Sequence, residues 1–277
     1  MEVLDDLDPD GGAPVVVRDG AALLVRRGDV LVRVRRHEGG AVAAREVEVA
    51  RALAAASVPA TELVDVEQPL VTDGCVVTAW RWAEGGVEPS VDDLGRLAAV
   101  LRERTRDHLD VVPSFDPLDA VVGAVAHRPL DDPEVAFVHR RAGELAGPWQ
   151  AIALHDPAGL AVVHGDLHGG NVVSSTSGPL LTDLELSGVG PPSYDVAPTA
   201  VAVRRYGAPA EDLDRFVAAS GLDPRAWTGW SVCLDVYELW VTAWAVGVRD
   251  RDAAWATEAA TRVATLRDGS DTTWRLH

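Results

Sequence analysis

The stretch from residue 162 to residue 185 has the highest density of side chains that can do chemistry. Its sequence is VVHGDLHGGNVVSSTSGPLLTDLE, in which two short apolar runs flank a polar turn and a third run ends on an acid. Apolar runs this short, bounded by Gly and Pro, are typical of β-strands. We therefore expect the polar side chains to lie on a loop and at a strand end. These side chains are His164, Asp166, His168, Asn171 and Asp183.

Three of these residues have the functional groups that phosphoryl transfer requires. Asp166 can accept a proton from a hydroxyl group. Asn171 and Asp183 offer hard oxygen ligands to a cation such as Mg²⁺, which takes few protein ligands and leaves room for phosphate. A base beside two metal ligands is the combination that kinases use to transfer a phosphoryl group.

Zinc binding is an alternative, because His164 and His168 are four residues apart. The three glycines around them argue against the helix that would place both rings on one face. Asp166 and Asn171, taken singly, could also be turn residues, since both types favour turns. Their combination with Asp183 favours a catalytic site.

The form H-G-D-L-H-x-G-N followed by L-x-D-x-E closely resembles the aminoglycoside phosphotransferase and choline kinase-like family of small-molecule kinases. The resemblance implies a bilobal protein kinase-like α+β fold, with a small antiparallel β-sheet N-lobe containing one helix and a large, mainly helical C-lobe. It also implies Mg²⁺ as cofactor, ATP or GTP as phosphate donor, and a small-molecule hydroxyl as acceptor. Relatives phosphorylate aminoglycosides, other antibiotics, choline-like amines and sugars, and no residue here selects among these acceptors.

The pattern along the chain agrees with such a fold. Short β-type runs near the N-terminus, separated by Asp-Gly and Gly-Asp turn signals, predict an antiparallel sheet of about five strands. The predicted strands cover residues 15–17, 22–25, 30–34, 63–66 and 75–79. Apolar spacing, caps and prolines predict helices farther on. The predicted helices cover residues 41–56, a segment that starts at Ser90, and residues 133–145, 148–154, 209–220, 231–248 and 251–266.

Four parts of the chain are expected, a tail from its composition and two lobes with a hinge from the resemblance. An acidic tail spans residues 1–12, an N-lobe residues 13–83, a hinge residues 84–87, and a helical C-lobe with the catalytic loop and acceptor site residues 88–277.

The nucleotide site is expected in the N-lobe. By the resemblance, Arg33 takes the place of the phosphate-binding Lys in a V-L-V-K-V pattern, and Glu46 of the Arg45-Glu46 pair braces it. Arg33 and Arg35 alternate along the strand, so they could instead be two solvated arginines on one face. Just before the hinge, Trp80 and Trp82 either line the base pocket or simply pack.

Further residues are assigned supporting or substrate roles. His164 is expected to be structural, and by the resemblance Asp195 braces the catalytic loop. Glu185 could lie near metal or substrate. In the C-terminal helices, which wall the acceptor site in the family, Asp235 and Glu238 are conceivable contacts for an amine, although acids among apolar residues usually face solvent.

Composition limits the partners. The chain has 277 residues and a formal net charge of −18, so nucleic acid is an unfavourable partner, whereas a cationic substrate is compatible. All 25 basic residues are Arg. The two cysteines, Cys75 and Cys233, lie in apolar surroundings and predict buried thiols in a reducing cytoplasm. No apolar run approaches the ~18 to 20 residues that span a bilayer, so we expect no membrane partner and favour a cytoplasmic monomer.

The sequence thus predicts a Mg-dependent phosphotransferase that moves the γ-phosphate of ATP or GTP to an alcohol group. A nucleotide-binding pseudoenzyme of the same fold is the alternative, favoured by the Lys-to-Arg departure and a glycine-poor first hairpin. A zinc hydrolase is less compatible with the motif. A protein kinase is disfavoured, because Leu-Glu and not Phe-Gly follows Asp183.

Overall fold

The computed structural model of the chain describes residues 7–8, 11–20, 22–72, 74–83 and 87–276. Most of the predicted tail and residues 84–86 of the predicted hinge lie outside the described residues. The described chain forms an N-terminal antiparallel sheet with one long helix beside it, followed by a mainly helical part that carries small two-stranded sheets.

Within the described residues, the N-terminal sheet has five strands in the order β1-β2-β3-β5-β4, and all neighbours are antiparallel. The strands are β1 Val15–Asp19, β2 Leu23–Arg27, β3 Val30–Arg36, β4 Leu70–Thr72 and β5 Cys75–Arg81. The central strand β3 buries Val30 and Val32 on one face, and Arg33 lies opposite Thr78 of β5. This register directs the side chain of Arg33 away from the valine core.

The predicted strand at residues 63–66 is wrong, because the edge strand β4 begins at Leu70. Leu63 makes only an isolated bridge with Trp80. The side chain of Gln68 forms hydrogen bonds with backbone groups that strand pairing would otherwise use. Its Nε2 donates to the carbonyl of Val64 at 2.9 Å, and its Oε1 accepts from the amide of Ala79 at 2.8 Å. Side-chain hydrogen bonds of this kind compete with strand pairing.

The helix α1, Gly40–Ala55, packs its apolar face against the sheet and the helical part. Its Ala-rich sequence has high helix propensity. The buried face contains Ala43, Val47, Val49 and Leu53, but it also buries Glu46 completely. An acid at a fully buried position requires a cationic partner.

The helical part contains seven longer helices among the described residues. They are α2 Val91–Arg104, α3 Pro117–Val125, α4 Pro133–Ile152, α5 Ala197–Arg205, α6 Ala210–Ser220, α7 Trp230–Val248 and α8 Ala253–Asp268. Four short strands complete it: β6 Ala161–Val163, β7 Val172–Ser175, β8 Gly178–Leu181 and β9 Gly188–Gly190. Strand β6 pairs with β9, and β7 pairs with β8, so the hairpin of β7 and β8 lies within the segment that connects β6 to β9.

Helix boundaries follow the expected signals in most cases. Ser90 and Asp93 form a capping box at the start of α2. The two predicted helices at residues 133–145 and 148–154 are instead the single helix α4, with Pro148 inside it. Burial of Leu145 and Trp149 on either side of Pro148 outweighs the hydrogen bond that proline cannot make.

The expectation of two buried thiols is wrong for Cys75, and one helix is relevant to the membrane expectation. Cys233 is buried, but Cys75 is only partly buried. Within the described residues, one helical segment, Trp230–Arg251, is long and apolar enough on length and composition alone to cross a membrane. Half of its most apolar window is buried inside the fold, as is usual for a core helix.

We predict that Gly188→Ala destabilises the protein. A Cβ at this position in β9 would lie 2.8 Å from the amide nitrogen of Phe115 and 2.8 Å from the carbonyl oxygen of Pro113, and these backbone atoms cannot move away cheaply. We expect the free energy of unfolding to fall by about 1–3 kcal/mol. Urea denaturation followed by circular dichroism measures it.

Gly143→Ala is the matched control, because a Cβ there meets no atom within 4 Å on α4. It should raise the free energy of unfolding by about 0.5–1 kcal/mol. Equal effects of the two substitutions would contradict the described packing of β9.

Candidate functional site

The loop between β6 and β7 is held by a buried carboxylate. Asp195 accepts hydrogen bonds from the backbone amides of His164 at 2.8 Å and Gly165 at 2.9 Å. It lies in the short 3-10 helix Pro192–Val196, which directly precedes α5. Burial raises the pKa of Asp195, while His164 and the two amides work to lower it. The two hydrogen bonds from these backbone amides to the Asp195 carboxylate therefore fix the position of the start of the loop.

His164 ties the same loop to the end of β8. Its Nε2 lies 2.9 Å from the carbonyl oxygen of Thr182, which can only accept, so Nε2 carries the proton. Its Nδ1 then accepts from the amide of Asp166 at 3.3 Å. Both ring nitrogens are thus occupied. Among the described residues, the group of potential metal ligands that comes together is Glu46, Asp183 and Glu185, and it includes neither histidine of the predicted zinc alternative.

Asp166 projects from the loop into a network of donors. The hydroxyl of Tyr237 donates to its Oδ1 at 2.7 Å, and the amide of Asn171 donates to its Oδ2 at 3.3 Å. The Nε2 atom of His168 lies 3.5 Å from the same Oδ2. Because Asn171 uses its nitrogen here, its side-chain oxygen is left for another ligand.

The charges around Asp166 favour its ionised form. Burial works to raise the pKa of Asp166, but His168 and Tyr237 outweigh it, and the pKa lies below its usual value. Burial likewise works to lower the pKa of His168, yet the adjacent Asp166 raises it overall. The pair is therefore a carboxylate with a lowered pKa beside an imidazole with a raised pKa.

Arg33 joins the N-terminal sheet to this site. Its Nη1 bonds Glu46 and lies 2.8 Å from Oδ1 of Asp183, which follows β8 in a left-handed conformation with φ 60°. Burial works to lower the pKa of Arg33, but Glu46 and Asp183 raise it overall. The alternative of solvated arginines does not hold, because the side chains of Arg33 and Arg35 are only 13% and 8% exposed.

Arg35 continues the same network. Its Nη1 lies 2.8 Å from Oε2 of Glu46, and its Nη2 donates to Glu185 at 3.0 Å. Burial, together with the charge of the nearby Asp183, raises the pKa of Glu185. Two guanidinium groups and three carboxylates therefore link β3, α1 and the segment after β8.

A cavity of about 450 Å³ opens at Asp166 and has a polar and an apolar lining. The polar lining consists of Arg18, Asp166, His168, Gly170, Asn171, Asp183, Glu185 and Arg262. The apolar and aromatic lining consists of Leu186, Pro198, Ala202, Tyr206, Tyr237, Trp240, Val241, Trp244 and Leu276. This volume lies within the range of small-molecule sites.

A smaller cavity of about 80 Å³ adjoins the first, because Asp183 lines both. Its lining includes Trp80 and Trp82, as well as Arg33 and Glu46. Trp80 is buried and donates its ring N–H to the hydroxyl of Thr78 at 2.9 Å, so its ring position is fixed. The structure thus brings both tryptophans of the sequence analysis to one cavity beside the charged network.

Two predicted substrate residues are not brought to the site. Asp235 pairs with Arg141 at 3.1 Å, and Glu238 is buried against Arg205, which donates to its two oxygens at 2.8 and 3.1 Å. Neither residue lines either cavity. The helical period explains this, because Tyr237 and Trp240 lie on the face of α7 that lines the cavity, whereas Asp235 and Glu238 lie on other faces.

Several lining residues could not be singled out from the sequence. Tyr237 lies 71 residues from Asp166, with which it shares a hydrogen bond, and no local pattern marks that pairing. Arg18 reaches the cavity from β1, where its neighbours are exposed valines. Among these lining residues, the sequence pattern marks only Trp240 and Trp244, because they recur at helical spacing.

Comparisons with known proteins identify the family and the fold of the chain. A model of the phosphotransferase enzyme family matches residues 19–232, whereas no curated protein matches the chain. Among solved structures, the amicoumacin kinase hAmiN, in complex with AMP-PNP and Ca²⁺, is 14% identical with a TM-score of 0.69, over 99% of this chain and 95% of that one. Choline kinase LicA from Streptococcus pneumoniae is 12% identical with a TM-score of 0.66, over 97% and 99%.

A GDP complex of aminoglycoside 2′-phosphotransferase-IIIa is 16% identical with a TM-score of 0.62, over 97% of both chains. Likenesses at such low identity concern the fold. They show that the protein has the bilobal protein kinase-like α+β fold that its sequence predicts.

We predict that Tyr237→Phe raises the pKa of Asp166. The hydroxyl of Tyr237 stabilises the ionised carboxylate, so its loss moves the pKa up, towards or beyond the usual value. Carbon-13 NMR titration of the aspartate carboxyl groups measures the shift. A carboxylate with a depressed pKa contributes stability above its unfolded pKa and loses it as pH falls through its folded pKa. The variant should therefore lose that contribution at a higher pH than the wild type.

Tyr206→Phe is the control, because Tyr206 lines the same cavity and makes no described hydrogen bond to Asp166. An unchanged Asp166 titration in Tyr237→Phe would contradict the described donor network.

Proposed function

The chain belongs to the phosphotransferase enzyme family, and on that premise we propose that it transfers the γ-phosphate of ATP or GTP to a hydroxyl group of a small molecule. The observation that carries the proposal is the meeting of Asp166, Asn171 and Asp183 at one cavity beside the partly buried Arg33. We further propose a cytoplasmic monomer with its lobes joined at residues 84–87.

Asp166 is the proposed base. It lines the larger cavity, where an acceptor hydroxyl within hydrogen-bond reach could give up its proton. The donors Tyr237 and His168 keep the carboxylate ionised at neutral pH and fix its orientation. Positioning of the hydroxyl in line with the phosphate supplies much of the catalysis in this class of reaction.

Asn171 and Asp183 are the proposed Mg²⁺ ligands. Their free oxygen atoms, the side-chain oxygen of Asn171 and Oδ2 of Asp183, are hard donors of the kind that Mg²⁺ accepts. When bound, the ion neutralises charge on the phosphate oxygens as the phosphoryl group moves. His164 and Asp195 hold the loop and strand end on which these ligands lie.

The nucleotide is proposed to bind in the smaller cavity and along the charged network. Trp80 and Trp82 would line the base, while Arg33, braced by Glu46, would face the phosphates. Arg in place of Lys suits this task because its guanidinium binds phosphate bidentately and stays charged. Solved structures of similar proteins contain AMP-PNP or GDP, which supports a nucleotide donor and agrees with either ATP or GTP.

The pseudoenzyme alternative has one observation in its favour. Arg33 bonds Asp183 directly, so one oxygen of a proposed metal ligand is already paired. A protein that binds nucleotide with Mg²⁺ yet transfers no phosphate to any acceptor would favour this alternative.

We predict that Asp166→Ala lowers kcat by about 100-fold to 10,000-fold, the usual contribution of a positioned general base. Nucleotide binding should persist, because Asp166 does not line the smaller cavity. A coupled assay of ADP release measures the rate, and titration calorimetry measures binding. Asp214→Ala, which removes an exposed partner of Arg225, should leave both unchanged. Full activity of Asp166→Ala would refute the base assignment.

We predict that Asp183→Asn weakens the Mg²⁺ dependence of nucleotide binding. Loss of the carboxylate charge should raise the Mg²⁺ concentration for half-maximal binding at least about tenfold. Calorimetric titrations of nucleotide at a series of Mg²⁺ concentrations measure this value, with Asp214→Asn as the exposed control. An unchanged midpoint would show that Asp183 does not hold the ion.

A further inference from the structure

The larger cavity also constrains the chemistry of the acceptor, and this inference rests on the proposed function. One of its walls is a single face of α7. Tyr237, Trp240, Val241 and Trp244 recur at intervals of three and four residues, so they form one stripe along the helix. Tyr237 touches Asp166, and Trp244 lies seven residues on, about 10 Å along the helix axis. The stripe is therefore long enough to contact a bicyclic or larger organic molecule whose hydroxyl group lies at the proposed base.

A second wall has the same character. Pro198 and Ala202 lie four residues apart on α5, and Tyr206 follows that helix on the same face. Leu186 and Leu276 complete the apolar lining. Beyond the region of Asp166, the acceptor therefore meets aromatic and aliphatic surface.

Each carboxylate that lines the cavity already has a side-chain partner. Asp166 faces His168, Asp183 bonds Arg33, and Glu185 bonds Arg35. All three lie at the proposed phosphate end of the cavity. A polycationic acceptor needs carboxylates along its whole length, and along the described apolar walls the lining provides none.

Two of the aromatic rings that line the cavity, Tyr206 and Trp244, are also unfavourable for a cation. The guanidinium of Arg262 lies 5.3 Å from the ring of Tyr206, and that of Arg251 lies 5.7 Å from the ring of Trp244. Arg262 is buried, and its side chain donates to Glu258 and to the backbone carbonyls of Val241 and Arg275, so it stays in place. An ammonium group on these rings would lie next to a like charge, which is unfavourable.

From these walls and charges we propose that the acceptor is an uncharged alcohol with an apolar, ring-containing body. Its hydroxyl group lies at Asp166, and its body lies along the stripe formed by Tyr237, Trp240, Val241 and Trp244. The transfer is balanced: the acceptor oxygen bonds the γ-phosphorus, the bond from that phosphorus to the bridging oxygen breaks, ADP or GDP leaves, and the hydroxyl proton passes to Asp166.

The test compares acceptors of different charge with the full-length protein, Mg²⁺ and ATP or GTP. Naphthylethanol and chloramphenicol serve as uncharged aryl alcohols, choline as a quaternary ammonium alcohol, and kanamycin as a polycation. Nucleoside diphosphate release and phosphorus-31 NMR of the product give kcat/KM for each. We expect kcat/KM for at least one aryl alcohol to exceed the values for choline and kanamycin by about tenfold or more.

Variants of Trp240 test whether the stripe on α7 binds the acceptor. Trp240→Leu should raise KM for the aryl alcohol about tenfold while KM for the nucleotide stays the same. Trp240→Glu adds a carboxylate to the apolar wall and should reverse the preference towards choline or kanamycin. Trp227→Leu is the matched control, because Trp227 is also partly buried in the helical part and lies outside both cavity linings.

The outcomes separate this inference from the proposed function. Preferential phosphorylation of choline or kanamycin by the wild type would overturn the inference and leave the proposed function standing. If no compound is phosphorylated, the proposed function fails, and calorimetry with Mg²⁺ and AMP-PNP decides the inference on binding alone. Binding of an aryl alcohol that Trp240→Leu weakens would support the inference, and no binding of either aryl alcohol would overturn it.

Discussion

The structure depends on a buried network of opposite charges around Glu46. This glutamate is fully buried on α1, and it is matched by two arginines from β3, Arg33 and Arg35. Each arginine also reaches an acid beyond β8, Asp183 or Glu185. Removing one member of such a network leaves an uncompensated charge in a medium of low polarity, which costs several kcal/mol. The sheet, the helix and the catalytic segment are therefore held in one relative arrangement.

The loop that carries Asp166 is likewise held by contacts with other elements. Asp195 binds two consecutive backbone amides, His164 joins the loop to Thr182, and Tyr237 on α7 holds the carboxylate of Asp166. Each contact joins the loop to a different element, so the position of Asp166 is set by the helical part as a whole. Rigid support of this kind is what the proposed base would require, since small displacements of the reacting groups are costly.

Under the proposed function, acceptor specificity depends on the remaining walls of the larger cavity. These walls include Trp240, Trp244 and Tyr206, side chains that lie after the catalytic motif in the sequence. Two of these rings already face guanidinium groups. The charge beside these rings therefore comes from Arg251 and Arg262, which do not contact Asp166.

The sequence by itself determined the fold class and the order of the motif residues, because short apolar runs between Gly and Pro and the spacing from Asp166 to Asn171 are local properties. It also placed Arg33 and Glu46 near one another by resemblance. Only the tertiary structure decided that Leu70 and not Leu63 begins the edge strand, since the Gln68 side chain competes for the ladder. It alone brought Tyr237 to Asp166 and turned Glu238 towards Arg205, because contacts between distant segments depend on how helices rotate as they pack, and no local pattern records that rotation.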